Sequence, residues 1–348
     1  KAHEPEIFAR VRTVLLPKDY VRLLLTGDKA SEMSDSAGTA WLDTAKRAWS
    51  DEMLDLTGLT RSQMPELFEG SAATGTLKAD LASRWGMNGK VVVAGGGGDN
   101  AASACGVGAV AAGTGFISIG TSGVVFVTAD RYRGNPAGAV HAFCHAVPGT
   151  WHQMGVSLSS AGSLDWLSHV LKAPAGDLVD ALGDRPTGPS SILFLPYLSG
   201  ERTPHNDASI RGVFAGIGHE SDRTVLTQSV VEGVCFAFRD CLEALKEAGT
   251  TLDRATAVGG GSRSAYWLKL MATVLGIPVE VPAEGDFGAA FGAARLGLMA
   301  AEGADPAEIC TPPAIETVHE PDRELEPAFG DAYRRYRALY PAIKGVMT

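Results

Sequence analysis

At 348 residues the chain is too long for one ordinary core, and its length predicts about two domains. A net charge of −10 and a pI near 5.3 argue against nucleic acid, whose phosphates are bound by an excess of lysine and arginine; an anionic nucleotide still fits where backbone amides supply the field. The 45% hydrophobic and 20% charged residues are those of a soluble globular protein, and five cysteines without C-x-x-C spacing read as reduced thiols of a cytoplasmic protein.

The chain opens on Lys1 in a helical pattern, EPEIFARVR, followed by LPKDYVRLLLTG (16–27), an amphipathic helix ended by Gly27. Short helices are predicted over 49–56 and 63–67, the second opened by a Thr60-x-x-Gln63 capping box, and another over 77–86. KVVVAG (90–95) is a buried strand. After it come a helix (100–108), strands at 115–120, 123–128, 139–147 and 151–156, and a helix over 160–172. ILFLPYL (192–198) and GVFAGI (212–217) are further strands. The longest helical pattern, 222–248, has Asp222 as N-cap and Gly249 as C-cap. Strand ATAVGG (255–260), a helix over 264–275 and strand PVEVPA (278–283) follow. A helix over 286–301 carries Gly288, Ala289, Gly292, Ala293 and Ala294, small residues that permit close helix approach, and AYRRYRALYPAI (332–343) forms a terminal helix. Strand clusters interleaved with helices make the class α/β. Ala101 to Ala129 carries no charge and is long enough for a bilayer, but its glycines and two short β-branched runs fit helix, strand, turn and strand, so no membrane partner is expected.

Three glycine loops carry the chemistry. In VVVAGGGGDNAASACG (91–106) a buried strand enters four glycines, and Asp99 and Asn100 follow at the start of a small-residue helix. Asp99 there is either a helix cap or a functional carboxylate. In SIGTSGVVF (118–126) a tight turn at Gly120, Thr121, Ser122 and Gly123 offers amides and two hydroxyls, which a phosphate could accept from; most such hairpins are only hairpins. In AVGGGSRSAYWLKL (257–270) the order is again strand, glycines, helix, but G-x-G-x-x-G is lacking, which argues against a dinucleotide-binding dehydrogenase. His141, His145 and His152 lie close in sequence without H-E-x-x-H or partnering cysteines and read as core or hinge histidines, with no metal ligand assigned. Glu201, Arg202 and His205 in SGERTPHND read as a charged, ion-paired structural loop.

Taken together with LLPKDYVRLLLTG, SDSAGTAWLD (34–43), HAFCHAVPGTWHQMG (141–155), FLPYLSGERTPHND (194–207) and VVEGV (230–234), these loops resemble the FGGY family of carbohydrate kinases, and within it most closely the xylulokinases. The resemblance covers almost the whole chain. It implies two actin-like ATPase domains of the ribonuclease-H-like type, here 1–108 for the sugar-binding domain and 109–348 for the nucleotide-binding domain with its C-terminal helix. It implies ATP and Mg²⁺, and a reaction in which the γ-phosphate passes to the 5-hydroxyl of D-xylulose. Asp99 would be the general base and, with Asn100, would contact the sugar. Gly120, Thr121, Ser122 and Gly123 would meet the β- and γ-phosphates, and Gly260, Gly261 and Ser264 the adenine and ribose. No metal ligand can be named from these residues.

A family member normally begins with a strand and a D-x-G-T hairpin, and no D-x-G-T occurs here; Asp35 to Thr39 has the wrong spacing. The expectation is therefore a first domain that is truncated, its N-terminal part absent, and weak or no turnover by the chain alone. Other members of the family (a ribulokinase, gluconokinase or glycerol kinase) remain alternatives for the sugar. A nucleotide-dependent actin-like binding protein is the alternative from another class. A homodimer is left open.

Overall fold

The computed structural model describes residues 1–87, 90–283 and 288–347. Its centre is a seven-stranded sheet built from β1 (Gly115–Ile119), β2 (Gly123–Ala129), β3 (His141–Cys144), β4 (Trp151–Ser157), β5 (Ala255–Val258), β6 (Val279–Pro282) and β7 (Ile315–His319), in the order β7-β6-β5-β1-β2-β4-β3. β1 to β4 are antiparallel neighbours where they pair, whereas β5 lies parallel to both β1 and β6. A parallel neighbour needs a crossover, which the chain supplies between β5 and β6 as a helix.

The helices that matter for the site are α1 (Asp99–Val107), α2 (Ala161–Leu171), α3 (Arg223–Glu247), α4 (Ala265–Leu275), α5 (Ala289–Glu302) and α6 (Glu326–Met347). Alternation along a strand sends successive side chains to opposite faces, and here both faces are apolar. Ile117, Ile119, Val125 and Val127 pack on Val231, Val234 and Phe238 of α3. Phe116 and Phe126 point the other way, onto Ala104 and Val107 of α1. Cys235 and Cys241 fill the α3 core, as their helical setting predicts. α3 begins where expected: the Asp222 side chain accepts from the amides of Thr224 and Val225, each at 2.9 Å.

α1 is covered on its far side by α5. A Cβ added at Gly292 would lie 1.6 Å from the carbonyl oxygen of Ala102, so the two backbones are in contact there and only glycine fits. The small-residue pattern on α5 thus has the role its composition predicts, although 286 and 287, the first residues of the expected helix, fall outside the described residues.

One expected helix is corrected. The Thr60–Gln63 capping box is present, but the turn it opens is a 3₁₀ turn, Arg61–Gln63, and Glu66–Phe68 is a strand paired in parallel with Ala30–Glu32. Pro65 explains this: it removes a backbone donor and biases Met64 to extended backbone, where a helix cannot continue. The uncharged segment 101–129 folds as α1, β1 and β2, and no helix among the described residues is long and apolar enough to cross a membrane.

Gly292→Ala should lower unfolding free energy by about 1–3 kcal/mol, the usual cost of forcing extra volume into a filled contact. Denaturant titration of the two proteins measures it, and equal stability would show that α1 and α5 can separate freely.

Candidate active site

Parallel pairing sets the geometry of the site. Val258 of β5 is in register with Ser118 of β1, so the Gly120–Gly123 turn and the loop that starts at Gly259 emerge from the same end of the sheet. They also touch: a Cβ on Gly261 would lie 2.3 Å from the Ile119 Cγ2 atom, a close approach that requires glycine. The carboxyl ends of parallel strands are where open α/β sheets bind ligands.

The turn is held from outside. Gly120 donates to the Ser122 carbonyl at 3.2 Å. The amides of Ser160 and Ala161 donate to the carbonyls of Thr121 and Gly120, both at 2.8 Å, and Gly162 adds a third at 3.2 Å. The start of α2 therefore clamps the turn by its carbonyls, while Thr121 and Ser122 are exposed. The same end of α2 forms one wall of a cavity of about 290 Å³, where Ala161 and Leu164 face Gly260, Gly261, Arg263 and Ser264, with Trp267 behind them. Ser264 is also the N-cap of α4, its hydroxyl accepting from the Trp267 amide at 3.2 Å. Of the residues singled out in sequence, Gly260, Gly261 and Ser264 line one cavity, and Gly120 to Gly123 adjoin it through α2.

Asp99 is the first residue of α1, and Gly98 is the N-cap, so the carboxylate does not cap the helix. It is exposed, and its Oδ1 accepts from the backbone amide and the side-chain amide of Asn100 at 2.7 and 3.0 Å. Oδ2 has no hydrogen bond among the described residues. The same holds for any bond from Asp99 or Asn100 to the turn or the third loop.

Beneath Asp99 lies a charged cluster that the sequence does not single out. Lys18 Nζ sits 2.9 Å from Asp19, 3.3 Å from Glu32 and 3.7 Å from Asp35. Arg22 pairs with Asp19 at 3.0 Å and also donates to the Ala30 carbonyl. Asp19 and Glu32 are buried. Burial works against the Lys18 ammonium, but Glu32, Asp19 and Asp35 together hold it above its ordinary range. Burial pushes the Asp35 carboxyl up; Lys18 opposes this, and the charges of Asp19 and Asp99 add to it. LPKDY and SDSAGTAWLD stand out in sequence only as family-like text, because their pairing joins residues of a helix to a strand and turn further along the chain.

Glu201 is likewise buried and tied to the site. It accepts from the Leu158 and Arg202 amides, both at 2.8 Å, and from the Ser157 hydroxyl at 3.0 Å, anchoring the segment that runs on to Ser160. Burial pushes its carboxyl up to about 7 against those hydrogen bonds. Within the expected ion-paired loop, the ion pair is that of Asp207 with Lys344 at 3.7 Å; Glu201 is held by amides and a hydroxyl instead, while Arg202 donates to His141 at 2.9 Å. His145 and His152 are fully buried, and burial lowers both, the first to about 4. Among the described residues, no group of three or more His, Cys, Asp or Glu side chains is arranged to hold a metal ion.

Comparison with known families matches this arrangement twice. Residues 1–106 match the N-terminal domain of the FGGY family of carbohydrate kinases, and residues 115–301 match its C-terminal domain. The chain belongs to the FGGY family of carbohydrate kinases, and it has the two-domain actin-like ATPase fold. It is 45% identical to the xylulose kinase of Escherichia coli (strain K12) over 99% of this chain and 72% of that one. Its structure is similar to that of a "xyloylose kinase" from Brucella ovis, with a TM-score of 0.97 and 59% identity over 99% of this chain and 71% of that one. It is also similar to the xylulose kinase of Rhodospirillum rubrum, with a TM-score of 0.90 and 26% identity over the same shares. The expectation that the N-terminal part of the family domain is absent is corrected: residues 1–106 carry the match to that domain. The match holds without a D-x-G-T hairpin, so that motif alone does not mark the domain.

The buried Glu201 has a pH signature. Its folded carboxyl keeps a proton up to about 7, whereas the unfolded one releases it near 4.5, so the folded state binds more protons between these values. The contribution of Glu201 to stability is then full below about 4.5 and is lost as pH rises through about 7. Glu201→Gln should remove that slope. Urea unfolding of both proteins at about pH 4.5 and pH 8 measures it, and parallel pH profiles would contradict the assignment.

Proposed function

We propose that the protein transfers the γ-phosphate of ATP to the 5-hydroxyl of D-xylulose, giving xylulose 5-phosphate, as a cytoplasmic enzyme. The observation that carries this reading is the 45% identity to a xylulose kinase across 99% of the chain. The geometry supports it independently. A turn with exposed hydroxyls adjoins a cavity of about 290 Å³ next to a glycine loop, a pairing of sites suited to a phosphate tail and its base.

In this reading Gly120, Thr121, Ser122 and Gly123 take the β- and γ-phosphates, and Gly260, Gly261 and Ser264 the adenosine. Asp99 accepts the proton of the attacking hydroxyl on Oδ2, the oxygen that Asn100 leaves open. Asn100, whose amide already orients Oδ1, contacts the sugar. An aspartate is a weak base, so its work is to orient the hydroxyl and to take the proton late. Mg²⁺ would supply charge neutralisation on the triphosphate. The division of the chain at 108/109 is part of the same proposal: α1 ends at Val107, Gly108 closes it with φ +73°, and the sheet starts at Gly115.

Asp99→Asn should cut turnover about 10²–10⁴-fold with sugar and nucleotide affinity little changed, read from steady-state kinetics with D-xylulose and ATP. Near-full turnover would refute the base. Calorimetric titration with MgADP should give about −4 to −8 kcal/mol, with loss on changing Thr121 or Gly260. Unchanged binding in both variants would place the nucleotide elsewhere.

A further inference from the structure

The four glycines before Asp99 leave the backbone there with more freedom than any other residue type would. A base that must meet a hydroxyl within a few tenths of an ångström cannot be carried on a loose loop. The structure shows what restrains it. Gly95 and Gly96 donate to the carbonyls of Ala72 and Gly70, both at 2.9 Å, and Gly98 donates to the side chain of Ser34 at 3.0 Å. The first two restraints are backbone to backbone. The third, on the residue directly before Asp99, is made by a side chain remote in sequence.

Ser34 can accept that bond because its own proton is committed. Its hydroxyl donates to Glu32 Oε2 at 2.8 Å. Glu32 also accepts the amides of Ser34 and Asp35 at 2.7 and 2.8 Å and faces Lys18 at 3.3 Å, so donors surround it and it acts only as an acceptor. Gly98 therefore donates to Ser34 and Ser34 to Glu32, while the Lys18 ammonium pairs with Glu32 from the other side, so the contacts converge on Glu32. Glu32 is fully buried and Ser34 nearly so, which shields these contacts from competing water. Asp35 closes the other side of the slot: a Cβ on Gly98 would lie 3.5 Å from its Cα.

We propose that Ser34, oriented by Glu32 and Lys18, is a positioning residue for Asp99: it fixes the peptide at Gly98 and so the direction in which the Asp99 carboxylate leaves α1. This rests on the reading of Asp99 as the base. It adds three residues that reach the base through the peptide at Gly98.

The test compares Ser34→Ala, Ser34→Thr, Glu32→Gln and Asp99→Asn in one series, with D-xylulose and ATP as substrates and with amide hydrogen exchange at Gly98 followed by NMR. Ser34→Ala should lower kcat about tenfold, the size of one lost hydrogen bond, with KM for both substrates unchanged. Exchange at Gly98 should accelerate about tenfold while amides of β1 and β2 stay as they were. Ser34→Thr, which keeps the hydroxyl, should restore both, and Glu32→Gln should reproduce the alanine effect in weaker form. Gly98 exchange that is unchanged in Ser34→Ala overturns the positioning role whatever the turnover. Normal kcat in Ser34→Ala beside an inactive Asp99→Asn overturns it too, and leaves the base intact. Full activity in Asp99→Asn overturns the reading on which the proposal stands.

Discussion

The site depends on one pairing of strands. Because β5 runs parallel to β1, two loops more than a hundred residues apart in sequence open at the same end of the sheet, and the contact of Gly261 with Ile119 leaves them no space to drift apart. Were the pairing antiparallel, the third loop would emerge at the opposite end and no cavity could form beside the turn. The crossover from β1 to β5 runs through β2 to α3, and the next one, from β5 to β6, is α4, whose N-cap Ser264 is itself a lining residue of the cavity. Structure and site are thus made by the same few residues.

Much of this was legible in the residues themselves. α3 starts at the expected cap Asp222, which acts locally, whereas its C-cap is Ala248, with the expected Gly249 one residue beyond at φ +81°; β1 and β2 are bounded by a turn only three residues long. The three glycine loops were visible because each follows a short β-branched run. What could not be read was anything held by distant partners. Lys18 and Glu32 are ordinary surface-type residues until the fold buries one against the other, and nothing in LPKDY or SEMSDS announces that. The strand at Glu66–Phe68 was missed for a similar reason: its partner, Ala30–Glu32, is more than thirty residues earlier, and a genuine capping box beside it favoured helix. Asp99 lay between two readings, cap or base; the structure removes the first, because the capping position belongs to Gly98.

Buried acids are the expensive part of this design. Glu32, Glu201, Glu232 and Asp240 all lie inside, and burial pushes each one up. Each is compensated by a different device. Glu32 has an ammonium and three donors, Glu201 two amides and a hydroxyl, and Glu232 the Ser190 amide with Gln228. Asp240 accepts from the Tyr333 hydroxyl at 2.6 Å, tying α6 to α3. A carboxylate that is fully engaged in this way specifies geometry more sharply than an apolar contact, since its donors must point at it. Three of the four stand where a loop must be held against a strand or helix. The fourth fastens the terminal helix.

The junction of Gly292 with Ala102 has a mechanical meaning. Where most helices meet through side chains, a small rotation can be absorbed by a change of rotamer, and the pair behaves as a lubricated bearing. Here main chain rests on main chain, with Arg295 also donating to the carbonyls of Cys105 and Gly106, so there is nothing to slip. α1 and α5 must travel as one piece. The Asp99 carboxylate, though it lies within the segment matched to the N-terminal family domain, therefore stands on a helix seated on α5 of the segment matched to the C-terminal one, and a displacement of α5 would carry it along as cargo.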